Sequence, residues 1–248
     1  MMTVTQAPLK RRPRPEGGRP PPPVWPGGGS ASPSRPGWRW LAQVALVVRF
    51  EKGEELYGDD SRADAMFAII TGMVKIHKVL PDGKRPILAF LFAGDLLGVT
   101  DQTTHAVAAS AGSAVTAYRY PSVLLERSLH QDAFLEFNLL IRQTLCREVR
   151  EAREHALILR RLDAAGRLAG FLSRLLARAQ GMGEGDWDLY LPMDRSDIAA
   201  YIGTSPEAVS RAFRRLADDG VVRFRDRRHV RITNPDGLAA LAAGKTPR

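Results

Sequence analysis

Residues 196–219 read SDIAAYIGTSPEAVSRAFRRLADD, two short helical segments around a glycine. Ile198, Ala199 and Ile202 give the first segment an apolar side. Gly203 stands where that helix must stop, because glycine takes the left-handed backbone of a helix end without steric cost. Thr204 or Ser205 is placed to cap a second helix, predicted over residues 205–218, with Pro206 at its first position and Glu207 in its first turn. Val209, Ala212, Phe213 and Leu216 recur at helical spacing and would pack against the first helix. Glu207, Ser210, Arg211, Arg214 and Arg215 fall on the opposite side. An apolar back and a polar, basic front are what a DNA-reading helix-turn-helix needs, although a helical hairpin with a solvated charged face has the same pattern.

The following residues favour the DNA-reading alternative. Val221-Val222-Arg223-Phe224 alternates like a strand, Arg225-Asp226-Arg227-Arg228 makes a basic turn, and His229-Val230-Arg231-Ile232 alternates again. A basic hairpin directly after the second helix is the plan of a winged helix, with its tip placed to meet phosphate. Arg211 has the fork geometry to donate two hydrogen bonds to guanine O6 and N7, Glu207 would accept from cytosine N4, and Ser210 would touch an adjacent base.

Arg195-Ser196-Asp197-Ile198-Ala199, Gly203 and Glu207-Ala208-Val209-Ser210-Arg211 together resemble the DNA-binding end of the CRP/FNR transcription regulators. The spacing of Glu207, Ser210 and Arg211 matches the E-x-x-S-R signature of the FNR and FixK branches, and Leu191-Pro192-Met193 also looks like the FixK branch. The resemblance runs from about residue 44 to residue 240. It implies an activator that, as a homodimer, reads a TTGAT half-site and its inverted ATCAA partner and contacts RNA polymerase. Arg195, Ser196, Thr204, Ser205, Arg214, Arg215, Arg225, Arg227 and Arg228 are expected on phosphate, which sets affinity rather than sequence.

The remaining sequence divides as this resemblance requires. The fold expected is α+β: a β-roll of the cyclic-nucleotide-binding, jelly-roll kind over residues 39–122, a dimerisation helix at 123–160 and a winged helix-turn-helix at 161–240. Many short strands with glycine turns fill the first part, among them Met66 to Ile70, Met73 to Val79 and Ile87 to Leu91, with Pro81-Asp82-Gly83 as a hairpin turn. In the predicted long helix, residues 132–159, Ile141, Leu145, Val149, Ala152, Ala156 and Leu159 recur every three or four residues, close to a heptad seam for a second subunit. A further amphipathic helix is predicted at 162–179, then a polar loop at 181–188 and a short strand at 189–191.

The 248 residues carry a net charge of +9, which favours a polyanionic partner. Part of that charge lies in residues 1–38, where Lys10, Arg11, Arg12, Arg14, Arg19 and Arg35 face only Glu16. The same segment holds ten of the seventeen prolines and is expected to be a disordered tail. Residues 241–248 are expected to be a flexible tail.

No cofactor is predicted. Cys146 is the only cysteine, which excludes an internal disulfide and any thiol cluster for iron–sulfur or structural zinc. Nucleotide-binding members of the family follow the Gly-Asp-x-x-Gly turn with a glutamate for ribose and then use an Arg-Ser or Arg-Thr pair for phosphate. Here Val99 follows Gly98, Thr104-His105 stands near the place of the pair, and no arginine lies between Gly98 and Tyr118. His77 and His105 read as a strand histidine and a loop histidine rather than as haem ligands, and no metal site is expected. Cys146 reads as a packing residue, with a redox switch kept open by Arg142 and Arg147 nearby. No phosphate loop or local nucleophile–base pair suggests an enzyme. No apolar run reaches membrane-span length and no secretory signal is seen, so a cytoplasmic protein is expected. The competing reading is an effector-binding or redox-responsive interaction module that does not read DNA sequence.

Overall fold

The computed structural model describes residues 45–128, 131–161, 163–180 and 187–245. The predicted N-terminal tail, most of the 181–188 loop and the last three residues lie outside these.

The first half is an antiparallel roll. Its strands are β1 (Leu46–Phe50), β2 (Glu55–Tyr57), β3 (Ala65–Thr71), β4 (Met73–His77), β5 (Ile87–Phe92), β6 (Leu96–Leu97), β7 (Ala108–Ala111) and β8 (Val115–Pro121). They form two four-stranded sheets, ordered β1-β8-β3-β6 and β2-β7-β4-β5. Alternating residues turn inward between the sheets, so Val48, Phe50, Phe67, Ile69, Val74, Leu91 and Val115 share one core. The sharp β3–β4 corner depends on Gly72, whose φ is +90°. A Cβ there would lie 2.1 Å from the Ala114 carbonyl oxygen, so no other residue fits. Gly83, also at positive φ, closes the β4–β5 hairpin where the Pro-Asp-Gly turn was predicted.

Helix α1 (Ser122–Ser128) leads into the long α2 (Gln131–Arg161), 31 residues in length. The C-terminal part runs α3 (Ala164–Gln180), β9 (Asp188–Tyr190), α4 (Arg195–Ile202), α5 (Pro206–Asp218), β10 (Val222–Phe224), β11 (His229–Ile232) and α6 (Pro235–Ala242). Strands β10, β11 and β9 make a three-stranded antiparallel sheet. Leu168, Leu172, Ile198, Val209, Leu216 and Leu238 lie in the core of this part. The fold is α+β, as the sequence implied.

Most elements match the sequence reading to within one or two residues at their ends, and two departures concern the C-terminal part. The short strand begins at Asp188, one residue early, because His229, Val230 and Arg231 of β11 pair with Tyr190, Leu189 and Asp188. The last helix, α6, has no counterpart in the sequence reading. Asn234 caps α6 by accepting from the Gly237 N–H at 2.8 Å, Pro235 opens it, and Leu238 and Leu241 are buried. The expected boundary at residue 241 therefore falls inside a packed helix.

The two halves touch directly. Phe90 of β5 packs beside Phe171 of α3 and Tyr201 of α4, with ring centres 5.8 and 5.2 Å away. Lys75 of β4 pairs with Asp197 of α4 at 3.0 Å, and Lys52 pairs with Asp194 at 3.2 Å.

Candidate nucleic-acid interface

The presentation of α5 is set by its ends. Asp194 and Asp197 form a reciprocal cap at the start of α4. Gly203 stops α4 in the left-handed conformation, at φ 65°. Of the two predicted capping residues, Ser205 does the work, its hydroxyl accepting from the Ala208 N–H at 3.2 Å. Pro206 follows at the first helical position. Val209, Ala212, Phe213 and Leu216 are buried, so the helix cannot rotate without exposing its apolar side.

That rotation puts Glu207, Ser210, Arg211, Arg214 and Arg215 on the exposed side. Glu207 is held below the usual carboxylate range by a hydrogen bond involving Ser205 and by the charge of Arg211. Ser210 donates its hydroxyl proton to the Pro206 carbonyl at 2.9 Å. Glu207, Ser210 and Arg211 thus form one polar patch in the first two turns of the helix. Ser196 and Ser205 are exposed and Thr204 is half-buried, all near the helix starts.

The expected phosphate arginines fall into two groups. Arg195 is turned inward: its guanidinium lies 3.5 Å from the centre of the Phe213 ring and 5.8 Å from that of Phe224. It also donates to the Arg227 carbonyl at 3.5 Å. Burial lowers its pKa, which marks a cation already withdrawn from solvent. Arg215 is tied to Asp163 at 2.8 Å, and the same carboxylate caps α3 through the Gly166 N–H. Arg214, Arg225, Arg227 and Arg228 are exposed, as is the base-reading candidate Arg211.

The wing is braced by carboxylates that sequence reasoning passed over. Asp226 accepts from the N–H groups of Arg228 and His229 at 2.7 and 2.9 Å and pairs with His229 Nδ1 at 2.7 Å. These contacts, the Arg228 N–H foremost, bring its pKa down to about 2. An aspartate inside a four-residue turn was the available signal. Asp188 lies 3.7 Å from Arg225 and 3.8 Å from Arg231, while Arg228 reaches the Tyr190 hydroxyl at 3.3 Å and Asp194 at 3.5 Å. Those pairs join residues far apart in the chain and had no local signature.

The predicted α2 seam is largely uncovered in the single chain. Leu145 and Val149 are 41% and 47% exposed, and Ala152 and Ala156 are exposed as well. Ile141 and Leu159 are half-buried, Ile141 against the cluster of Tyr118, Tyr120 and Leu125. Cys146 is exposed on this helix.

Inside the roll, Tyr57 stacks on His105 at 3.8 Å and 19°. His105 is buried, and burial depresses its pKa. A Cβ on Gly98 would come within 3.5 Å of its ring. His77 is also buried, at the end of β4. Among the described residues no helix is long and apolar enough to cross a membrane.

This arrangement has known counterparts. Residues 47–132 match the cyclic nucleotide-binding domain and residues 166–241 match the Crp-like helix-turn-helix domain. The chain is 32% identical to the nitrogen fixation regulation protein FixK of Rhizobium meliloti over 196 residues, 79% of this chain and 87% of that one. It is 30% identical to FixK of Bradyrhizobium diazoefficiens over 205 residues, 83% of this chain and 85% of that one. The structure of FixK2 from Bradyrhizobium japonicum superposes with a TM-score of 0.71 at 31% identity, covering 80% of this chain and 97% of that one. A roll, a long helix and a capped helix-turn-helix with its wing, in this order and with these relatives, make the chain a member of the CRP/FNR family of DNA-binding transcription regulators, similar to FixK.

Proposed function

We propose that the protein is a homodimeric activator that reads a TTGAT–ATCAA palindrome by inserting α5 of each subunit into the major groove. The observation that carries this reading is the shared exposure of Glu207, Ser210 and Arg211 over a buried apolar back. Arg211 donates to guanine O6 and N7, Glu207 accepts from cytosine N4, and Ser210 meets the neighbouring base. Ser196, Thr204, Ser205, Arg214 and the wing residues Arg225, Arg227 and Arg228 hold phosphate, while Arg195 braces α5 against the wing. A palindrome demands a two-fold partner, with half-sites about one helical turn apart. The exposed leucine, valine and alanines of α2 supply a seam for that partner. RNA polymerase is the partner expected at the promoter.

The roll does not suit a cyclic nucleotide. A buried phosphate needs a charge-assisted donor. The segment between Gly98 and Tyr118 has no arginine, and the Tyr57–His105 stack fills space beside Gly98. Control by the abundance of the protein itself fits this better than control by cyclic AMP or cyclic GMP.

Selection of duplexes from a random pool by the purified protein tests the reading. Enrichment of TTGAT and ATCAA as an inverted pair, unchanged by added cyclic AMP, is the expected result. Recovery of a pool with no common sequence would leave the interaction-module alternative standing.

A further inference from the structure

One buried charge has no part in DNA contact or in the subunit seam. Asp95 sits in the β5–β6 turn and is 1% exposed. Its Oδ2 accepts from the Phe92 N–H at 2.9 Å and lies 2.8 Å from Arg178 Nη2. Its Oδ1 lies 3.3 Å from Arg147 Nη2 and has no partner in hydrogen-bonding geometry. Arg178 belongs to α3, the first helix of the DNA-binding half, and also lies over the Phe92 ring at 5.1 Å. Arg147 belongs to α2.

The carboxylate cannot swing out to find water. Its own turn is pinned by the Asp95 N–H to the Phe92 carbonyl, the Gly94 N–H to the Ile69 carbonyl and the Ile69 N–H to the Asp95 carbonyl. A buried charge without a counter-charge is strongly unfavourable. Here both counter-charges come from outside the roll, one from each helix. The roll therefore tolerates Asp95 in this place only while α2 and α3 stay where they are. Arg178 lies nearer the carboxylate than Arg147 does, 2.8 against 3.3 Å, on the oxygen that also accepts from the Phe92 N–H.

We propose that Asp95 is a positioning residue for DNA binding, a charge latch with Arg147 and Arg178 that fixes the DNA-binding half against the roll and the dimer helix. In a dimer this fixes the separation of the two α5 helices, and with it the half-site spacing the protein accepts. The proposal rests on the palindrome reading above.

The test uses the full chain and TTGAT–ATCAA duplexes whose central spacer is native, or longer or shorter by one base pair. Arg178→Gln removes the charge and the Nη atoms that reach Asp95 from a partly exposed side chain and leaves a polar amide in their place. It is expected to weaken binding at native spacing about tenfold and to shrink the penalty for a wrong spacer at least fivefold. Asp95→Asn is expected to do the same, and the double variant to be no worse than either single one. General destabilisation would weaken all spacers in proportion. An Arg178→Gln spacer penalty within twofold of wild type overturns the latch, even if Asp95→Asn fails to fold. If the wild type selects no such duplex, the DNA reading fails, and amide exchange decides the latch separately. Faster exchange over residues 164–180 in Arg178→Gln supports it, and unchanged exchange overturns it.

Discussion

Arg195 and Arg211 share a residue type and stand on the same helix-turn-helix, yet the structure places them differently. Arg211 is exposed on the outer side of α5. Arg195 lies over the Phe213 ring, close to Phe224 of the wing. A cation over an aromatic face is worth about 0.5–2 kcal/mol, more as it is desolvated. Arg195→Ala should therefore lower stability toward urea by about 1 kcal/mol and leave the salt dependence of DNA affinity close to wild type. Arg214→Ala should do the reverse, leaving stability nearly unchanged and reducing the salt slope by about one counterion. A reduced slope in Arg195→Ala would return that residue to the phosphate contacts. The sequence alone could not separate these arginines, because a position in a motif says nothing about which way a long side chain folds. It did separate the apolar residues: Val209, Phe213 and Leu216 at helical spacing had only one way to be buried.

At the scale of elements, legibility follows the range of the interaction. The two helices of the motif, their glycine stop, their serine cap and the strand pair of the wing were readable because period, caps and turns act over a few residues. The same holds for the Gly83 hairpin. Helix α6 escaped notice although Asn234-Pro235 is a proper cap and first position, because its short alternation of leucine and alanine looks like a tail. The third strand of the wing sheet was placed one residue late, since its register depends on β11, some forty residues away. For α2 the apolar row was plain, and the structure leaves Leu145 and Val149 exposed in one chain. Leu145→Asp should abolish the dimer, since a carboxylate in that seam would be buried without a partner at a cost of several kcal/mol. Sedimentation at micromolar concentration should give twice the chain mass for wild type and the chain mass for the variant. A variant that remains dimeric would move the interface off this face.

At the scale of the whole molecule, the roll and the DNA-binding half are joined by contacts that no local pattern announces. Lys75 meets Asp197 across 122 positions of sequence. His155 of α2 packs against Tyr201 of α4 and Arg174 of α3, which also bond each other, with its ring 4.2 Å from the tyrosine and its Nδ1 3.2 Å from the guanidinium. Burial, aided by the Arg174 charge, pushes its pKa from 6.5 down to about 4. The unfolded histidine takes up its proton near pH 6.5 and the folded one only near pH 4, so acidification through this window favours the unfolded chain. His155→Gln should flatten the fall in thermal stability between pH 7 and pH 5. An equally steep fall in the variant would mean that the histidine is not held neutral at this junction.

The proposed palindrome reading also belongs to the whole molecule, since it needs two copies of α5 held at one spacing. Competition binding of wild type and Arg211→Ala, on the TTGAT–ATCAA duplex and its single-base variants at two salt concentrations, tests this most directly. Loss of the bidentate contact should cost about 1–3 kcal/mol per half-site and erase the preference at the guanine while leaving the other positions discriminated. Uniform weakening of every duplex, with the guanine preference intact, would contradict it.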